Sequence, residues 1–159
     1  MGISTESYKA IIRQGRKLAP GFVYKSNVPR EHWPAMATYE PDMDIIKFHS
    51  PSFYKSKSEF ASVMFHELAH WAMCVNRDGQ VKKSSSLISG LVEEIIAEMV
   101  SVKLSKKFGY SKVRRSIGYI TEYKNILRRM TDRTYYQDLV KYSKFKSEKV
   151  VRYLLNTDK

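Results

Sequence analysis

Cysteine is almost missing from this sequence: Cys74 is the only one in 159 residues. No internal disulfide can form, and no cysteine cluster can be assembled around a metal. A lone thiol points to a reducing compartment. Long apolar runs are missing as well, since none approaches the ~18 to 20 residues that a bilayer-spanning helix requires. A membrane partner is therefore not expected. The opening residues, Met-Gly-Ile-Ser-Thr-Glu-Ser, lack the basic-then-apolar pattern of a secretion signal. Position six is Glu6 rather than Ser or Thr, so the myristoylation pattern is unmet. Together these absences give the expectation of a cytoplasmic protein. Acidic residues are scarce towards the end: residues 101–159 hold 16 Lys and Arg against 5 Asp and Glu, whereas residues 1–100 hold 12 against 11. Nearly all of the formal charge of +12 thus belongs to the last third. It reads either as a solvated basic surface or as a platform for nucleic acid or an acidic partner.

What is present is enough for one domain, expected over residues 1–159, with an apolar fraction of 43% that suits a globular core. Tyr8, Ile11, Ile12 and Leu18 recur at helical spacing over residues 4–18, and Pro20-Gly21 closes that segment. Short strands are expected at Phe22-Val23-Tyr24, from Ala35 to Tyr39 and from Asp44 to Phe48, the last two joined by Glu40-Pro41-Asp42. From about residue 57 the pattern turns helical. Ser56 and Glu59 fit a capping box that opens a helix with Phe60, Val63, Met64, Leu68 and Trp71 on its apolar side. Residues 76–86 have loop chemistry. A second long helix is predicted from Leu87 to Phe108, with Gly109 as its stop. Helical stretches follow at 112–130, 132–142 and 145–155, the first with a buried stripe of Val113, Ile117, Ile120, Leu127 and Met130. Strands first and helices after make an α+β domain.

The chemistry concentrates at His66-Glu67-Leu68-Ala69-His70. Two histidines four apart share a helix face, so both imidazoles reach one ion, and Glu67 can face the attacking water as general base. The surrounding helix is largely apolar, and a buried pair of histidines with a glutamate needs a reason to be there. Catalytic zinc takes three protein ligands and keeps a fourth position open. The third is sought on Leu91-Val92-Glu93-Glu94-Ile95-Ile96-Ala97-Glu98, where Glu94 and Glu98 stack on one face. Glu94 leads as ligand, with Glu98 and Glu93 as alternatives and His49 or His32 in reserve. In such an arrangement the next turn's acid holds a ligand histidine by its second nitrogen; Glu93 is expected to meet solvent. Cys74 lies one turn beyond His70 and reads as a small buried hydrophobe rather than a ligand.

His66 to Trp71, followed by Glu93-Glu94-x-x-Ala97-Glu98, resembles the metallopeptidase-like domain of ArdC-type antirestriction proteins. The resemblance extends to Tyr39-x-Pro41-x-x-Asp44-x-Ile46, to Tyr119-Ile120 and to Val150-Val151-x-Tyr153-Leu154-Leu155, covering roughly residues 35–156. The family's Thr-Gly after the Trp is here Ala72-Met73, and the loop before the second acidic helix is basic and serine-rich. The N-terminal single-stranded-DNA-binding domain usual in that family is expected to be absent. More distantly, the pattern is similar to regulatory proteases of mobile elements that cut a repressor.

The resemblance implies a zincin-like fold, a phage or plasmid origin and a role against host defence or regulatory proteins. The expected reaction is zinc-dependent hydrolysis of a protein or peptide, with one Zn2+ per chain held by His66, His70 and Glu94, or another divalent ion such as Mn2+. An edge strand, taken as Asp44 to Phe48, would hold the substrate by strand addition. Tyr119 is the candidate oxyanion donor from the resemblance; Tyr123 and Tyr110 compete. The alternative function is DNA binding by an anti-defence protein with a structural metal site. Its basis is Arg114, Arg115, Lys124, Arg128, Arg129 and Arg133 interleaved with Tyr119 and Tyr123.

Overall fold

The computed structural model describes residues 2–19, 23–25, 36–75, 86–110 and 114–155. His32, Phe22, Ala35, Val113 and the loop at 76–85 lie outside the described residues, as do the side chains of Arg114 and Arg115. Helix α1 spans Thr5–Leu18 and starts where the Ser4 hydroxyl accepts the Ser7 N–H. Its inward residues, Tyr8, Ile11, Ile12 and Leu18, are those the periodicity marks. Strands β1 (Val23–Lys25), β2 (Ala37–Glu40) and β3 (Ile45–Phe48) form one sheet in the order β1-β3-β2. β1 runs parallel to β3, and β2 antiparallel to it with Tyr39 opposite Ile46. The expected edge strand at 44–48 is therefore the middle one, flanked on both sides. The turn between β2 and β3 places Asp44 at φ +51°, a left-handed conformation that Asp tolerates better than most residues, and its carboxylate accepts the Tyr39 hydroxyl at 2.8 Å.

After one 3-10 turn at Pro51–Phe53, four helices follow: α2 (Lys57–Val75), α3 (Leu87–Lys107), α4 (Arg114–Met130) and α5 (Arg133–Leu154). Ser56 caps α2 by accepting the Glu59 N–H at 3.1 Å, while the Glu59 carboxylate accepts the Lys55 N–H at 2.6 Å, one residue short of the usual reciprocal bond. α3 packs against α2, α4 and α5, and its buried residues (Leu91, Val92, Ile95, Ile96, Ala97, Val100, Leu104) surround most of its circumference. A helix apolar on most sides belongs in the middle of a domain. Gly109, at φ +78°, ends α3 in the left-handed form that glycine adopts without steric cost.

Two helical expectations are corrected. The stretches 132–142 and 145–155 are one helix; no Gly or Pro interrupts it, and Ser143 and Ser147 satisfy their hydroxyls on the carbonyls of Leu139 and Lys144. The stripe on α4 is also rotated: Leu127 is buried, but Ile117 and Met130 are exposed, while Ser116 and Tyr123 turn inward. Serine contacts described below set that rotation. No helix among the described residues is long and apolar enough to cross a membrane.

Candidate metal centre

α2 carries His66 and His70 on one face, and α3 brings Glu93, Glu94 and Glu98 against them. The two Nε2 atoms stand 3.1 Å apart. Glu94 spans both rings, with Oε2 at 3.3 Å from His66 Nε2 and Oε1 at 3.4 Å from His70 Nε2. Ligand atoms ~2.0–2.1 Å from a tetrahedral ion stand roughly 3.3 Å from one another, so these spacings have the size that one small cation needs. Among the described residues, His66, His70 and Glu94 are the set able to hold a metal.

Each far nitrogen also faces a carboxylate. His70 Nδ1 donates to Glu93 Oε1 at 3.2 Å. Glu98 Oε1 lies 3.2 Å from His66 Nδ1 but off the line of a hydrogen bond, which leaves that buried nitrogen without one. With carboxylates at both Nδ1 atoms, both Nε2 lone pairs face each other and Glu94, an arrangement that calls for a cation or protons between them. The electrostatics agree. Burial pulls the His66 imidazole down, but Glu94, Glu98 and Glu67 outweigh it and hold it up at about 10. Burial likewise opposes His70, which Glu93 and Glu94 hold up at about 9. Burial pushes the Glu94 carboxyl up, yet the two imidazoles outweigh that and keep it far below the usual carboxylate range.

Glu67 is 7% exposed and points the other way round α2, towards the sheet. Burial raises its pKa, against the charges of His66 and His70, and the Tyr39 backbone of β2 hydrogen-bonds its carboxylate. That bond places the outer edge of β2 beside the active helix. A cleft opens there, bordered by Met36 and Ala37 at the start of β2, Val63, His66 and Glu67 on α2, Glu94 and Glu98 on α3, and Tyr119 and Tyr123 on α4. Buried Tyr54 fixes this edge by donating to the Met36 carbonyl at 2.8 Å and accepting the His49 N–H at 3.2 Å. The start of α4 is seated by hydroxyls: Ser62 Oγ lies 3.1 Å from Ser116 Oγ and 3.2 Å from Ser101 Oγ, and Ser101 donates to the Ser62 carbonyl at 2.7 Å.

His66, His70 and Glu94 are brought together, Glu67 lies beside them, and Glu98 sits behind His66. Glu93 is corrected: it holds His70 instead of meeting solvent, because a glutamate side chain is long enough to reach across the 100° between neighbours on a helix. His49 is buried and stacked on Phe53 with ring centres 4.1 Å apart, outside the ligand set. Cys74 is also outside it. Tyr110 drops out of the oxyanion candidates, since it packs on Phe65 and donates to Gln14 at 3.2 Å. Tyr119 and Tyr123 both line the cleft, their rings stacked 6.0 Å apart, and so are not turned to a basic outer surface. Tyr123 is raised to about 12 by burial and by the charges of Glu94 and Glu98. The serine contacts and the β2 edge escape sequence reasoning, because serines at 62, 101 and 116 carry no spacing signal.

A model of the zincin-like metallopeptidase family matches residues 18–136. No curated protein matches the chain. Among solved structures, the Mn(II)-bound antirestriction ArdC protein from the R388 plasmid is similar, with a TM-score of 0.67 and 20% identity over 98% of this chain and 54% of that one. Its metal-free structure gives 0.59 and 19% identity over 98% and 53%. The chain thus spans about half the length of those structures and shares their fold.

Proposed function

The chain belongs to the zincin-like metallopeptidase family, and from that premise we propose that it is a divalent-metal-dependent hydrolase of peptide bonds. His66, His70 and Glu94 would hold the ion, zinc by the nitrogen-rich ligand set, with manganese as the alternative that the Mn(II)-bound ArdC structure suggests. When bound, such an ion lowers the pKa of a coordinated water and polarises the substrate carbonyl. Glu67, bordering the same cleft, takes the proton of the attacking water and passes it to the leaving amine. The outer edge of β2 pairs with an extended substrate by strand addition, in place of the strand at 44–48. Tyr119 and Tyr123 stand on the opposite wall, where a hydroxyl can donate to the developing oxyanion. By analogy with ArdC, the substrate is a protein of host defence or regulation met in the bacterial cytoplasm, and the chain comes from a phage or plasmid.

The observation that carries this reading is the joining of two sites: a ligand cluster of cation size, and a buried carboxylate tied to the strand that borders the same cleft. The decisive variant is Glu67→Gln, which keeps shape and removes the base. It should retain the metal, measured by elemental analysis, and lose roughly 10²- to 10⁴-fold in turnover. If Glu67→Gln leaves protection of incoming DNA intact, the metal site is structural and the DNA-binding alternative takes its place.

A further inference from the structure

Helix α5 presents an outer face that the metal centre does not use. Tyr135, Tyr142 and Phe145 are 47%, 50% and 54% exposed. At 100° per residue they fall, with Lys149, on a stripe roughly 80° wide. The buried residues of the helix, Ser143, Ser147, Val150 and Leu154, lie on another side. Three large aromatics half in water on one stripe are not needed for the core, which the other side already supplies. Cations frame them. Lys149 lies over the Phe145 ring at 5.3 Å from its centre, and Lys141 and Arg152 run along one flank. Asp138 shares the stripe, and Glu148, beyond the flank, is 3.5 Å from Lys103.

From this we infer that the outer face of α5 binds single-stranded nucleic acid, the bases stacking on Tyr135, Tyr142 and Phe145 and the phosphates meeting Lys141, Lys149 and Arg152. Charge complementarity selects a polyanion, and the aromatic stripe selects an unpaired strand, because a duplex keeps its base faces stacked on one another. The three rings span ten residues, ~15 Å along the axis, or about four nucleotide steps at the 3.4 Å spacing of a stacked strand. This surface replaces Tyr119 and Tyr123 as the stacking platform, since those rings line the cleft. It stands independently of the proposed hydrolysis.

The test is fluorescence anisotropy of the full chain with a labelled, mixed-sequence DNA strand of about 12 nucleotides at low salt. Binding should weaken with salt at a log–log slope of about −2, as for three phosphate contacts. Tyr142→Ala and Phe145→Ala should each lower affinity about 10-fold, Tyr142→Phe should restore it, and Lys141→Glu with Lys149→Glu should remove it. Metal content should stay unchanged throughout. A duplex of the same sequence should bind more weakly. The inference is overturned by absence of binding at low salt, by alanine variants that bind as the parent does, or by a preference for anionic lipid vesicles or a poly-glutamate peptide over the strand.

Discussion

The pair α2–α3 and the pair α4–α5 are built to different rules. α2 and α3 bury apolar residues on most sides, and two histidines and three glutamates, Glu93, Glu94 and Glu98, converge on one point. α4 and α5 bury little more than Leu127, Val150, Leu154 and several serines, and leave Ile117, Met130, Tyr135, Tyr142 and Phe145 in water. A site for a small cation needs fixed donors, which dense packing provides. A surface for a flexible polymer needs accessible rings and charges instead. Among the described residues, the exposed aromatic face of α5 is thus separate from the cluster on α2 and α3, and α4 lines the cleft beside that cluster.

The largest effect is expected at Glu94. Glu94→Ala removes the carboxylate that spans both imidazoles, and metal content should fall to background by elemental analysis. Glu93→Ala and Glu98→Ala, which touch only the outer nitrogens, should weaken affinity by about 10- to 100-fold. Equal affinities for the three variants would place the third ligand elsewhere. Next comes packing. Phe65 is fully buried against Phe108 and Tyr110, so Phe65→Ala should cost about 3–5 kcal/mol in denaturant unfolding, whereas Phe145→Ala should stay within ~0.5 kcal/mol. Similar losses for both would erase the distinction between the two helix pairs. The smallest effect lies at the seam. Ser116→Ala leaves Ser62 with Ser101 as partner and should cost ~1 kcal/mol, with metal content intact. A loss several times larger would mean that α4 is part of the core after all.

Much of the centre was legible because its signals are periodic. Two histidines four apart on an apolar helix, and acids four apart on another, leave few arrangements. Glu93 was misjudged because a helical wheel records where a side chain starts and not how far it reaches. The helices of the last third were read less well. Ile117 and Met130 look like a core stripe on apolarity alone, but the rotation of α4 is set by Ser116 meeting Ser62, a contact between residues 54 apart that leaves no trace in local pattern. The separate stretches expected at 132–142 and 145–155 are one helix, in which the hydroxyls of Ser143 and Ser147 donate to carbonyls of the helix itself. Strand order was beyond reach for a similar reason: that β3 lies between β1 and β2 depends on pairing across a segment rich in proline.

The ligands come from two helices that follow one another in the chain, and Glu94 is only 24 residues beyond His70. Closing so short a loop costs little entropy, and an ion can draw the two helices together before distant parts of the chain have met. The bond from Tyr39 to Glu67 is different in kind, since it requires a strand to arrive from outside that hairpin and to be held by Tyr54. If the proposed function holds, capture of the ion is a local event, whereas the seating of Glu67 waits for the sheet. Under the proposed function, a nascent or partly unfolded chain would carry its metal before it could hydrolyse the proteins around it.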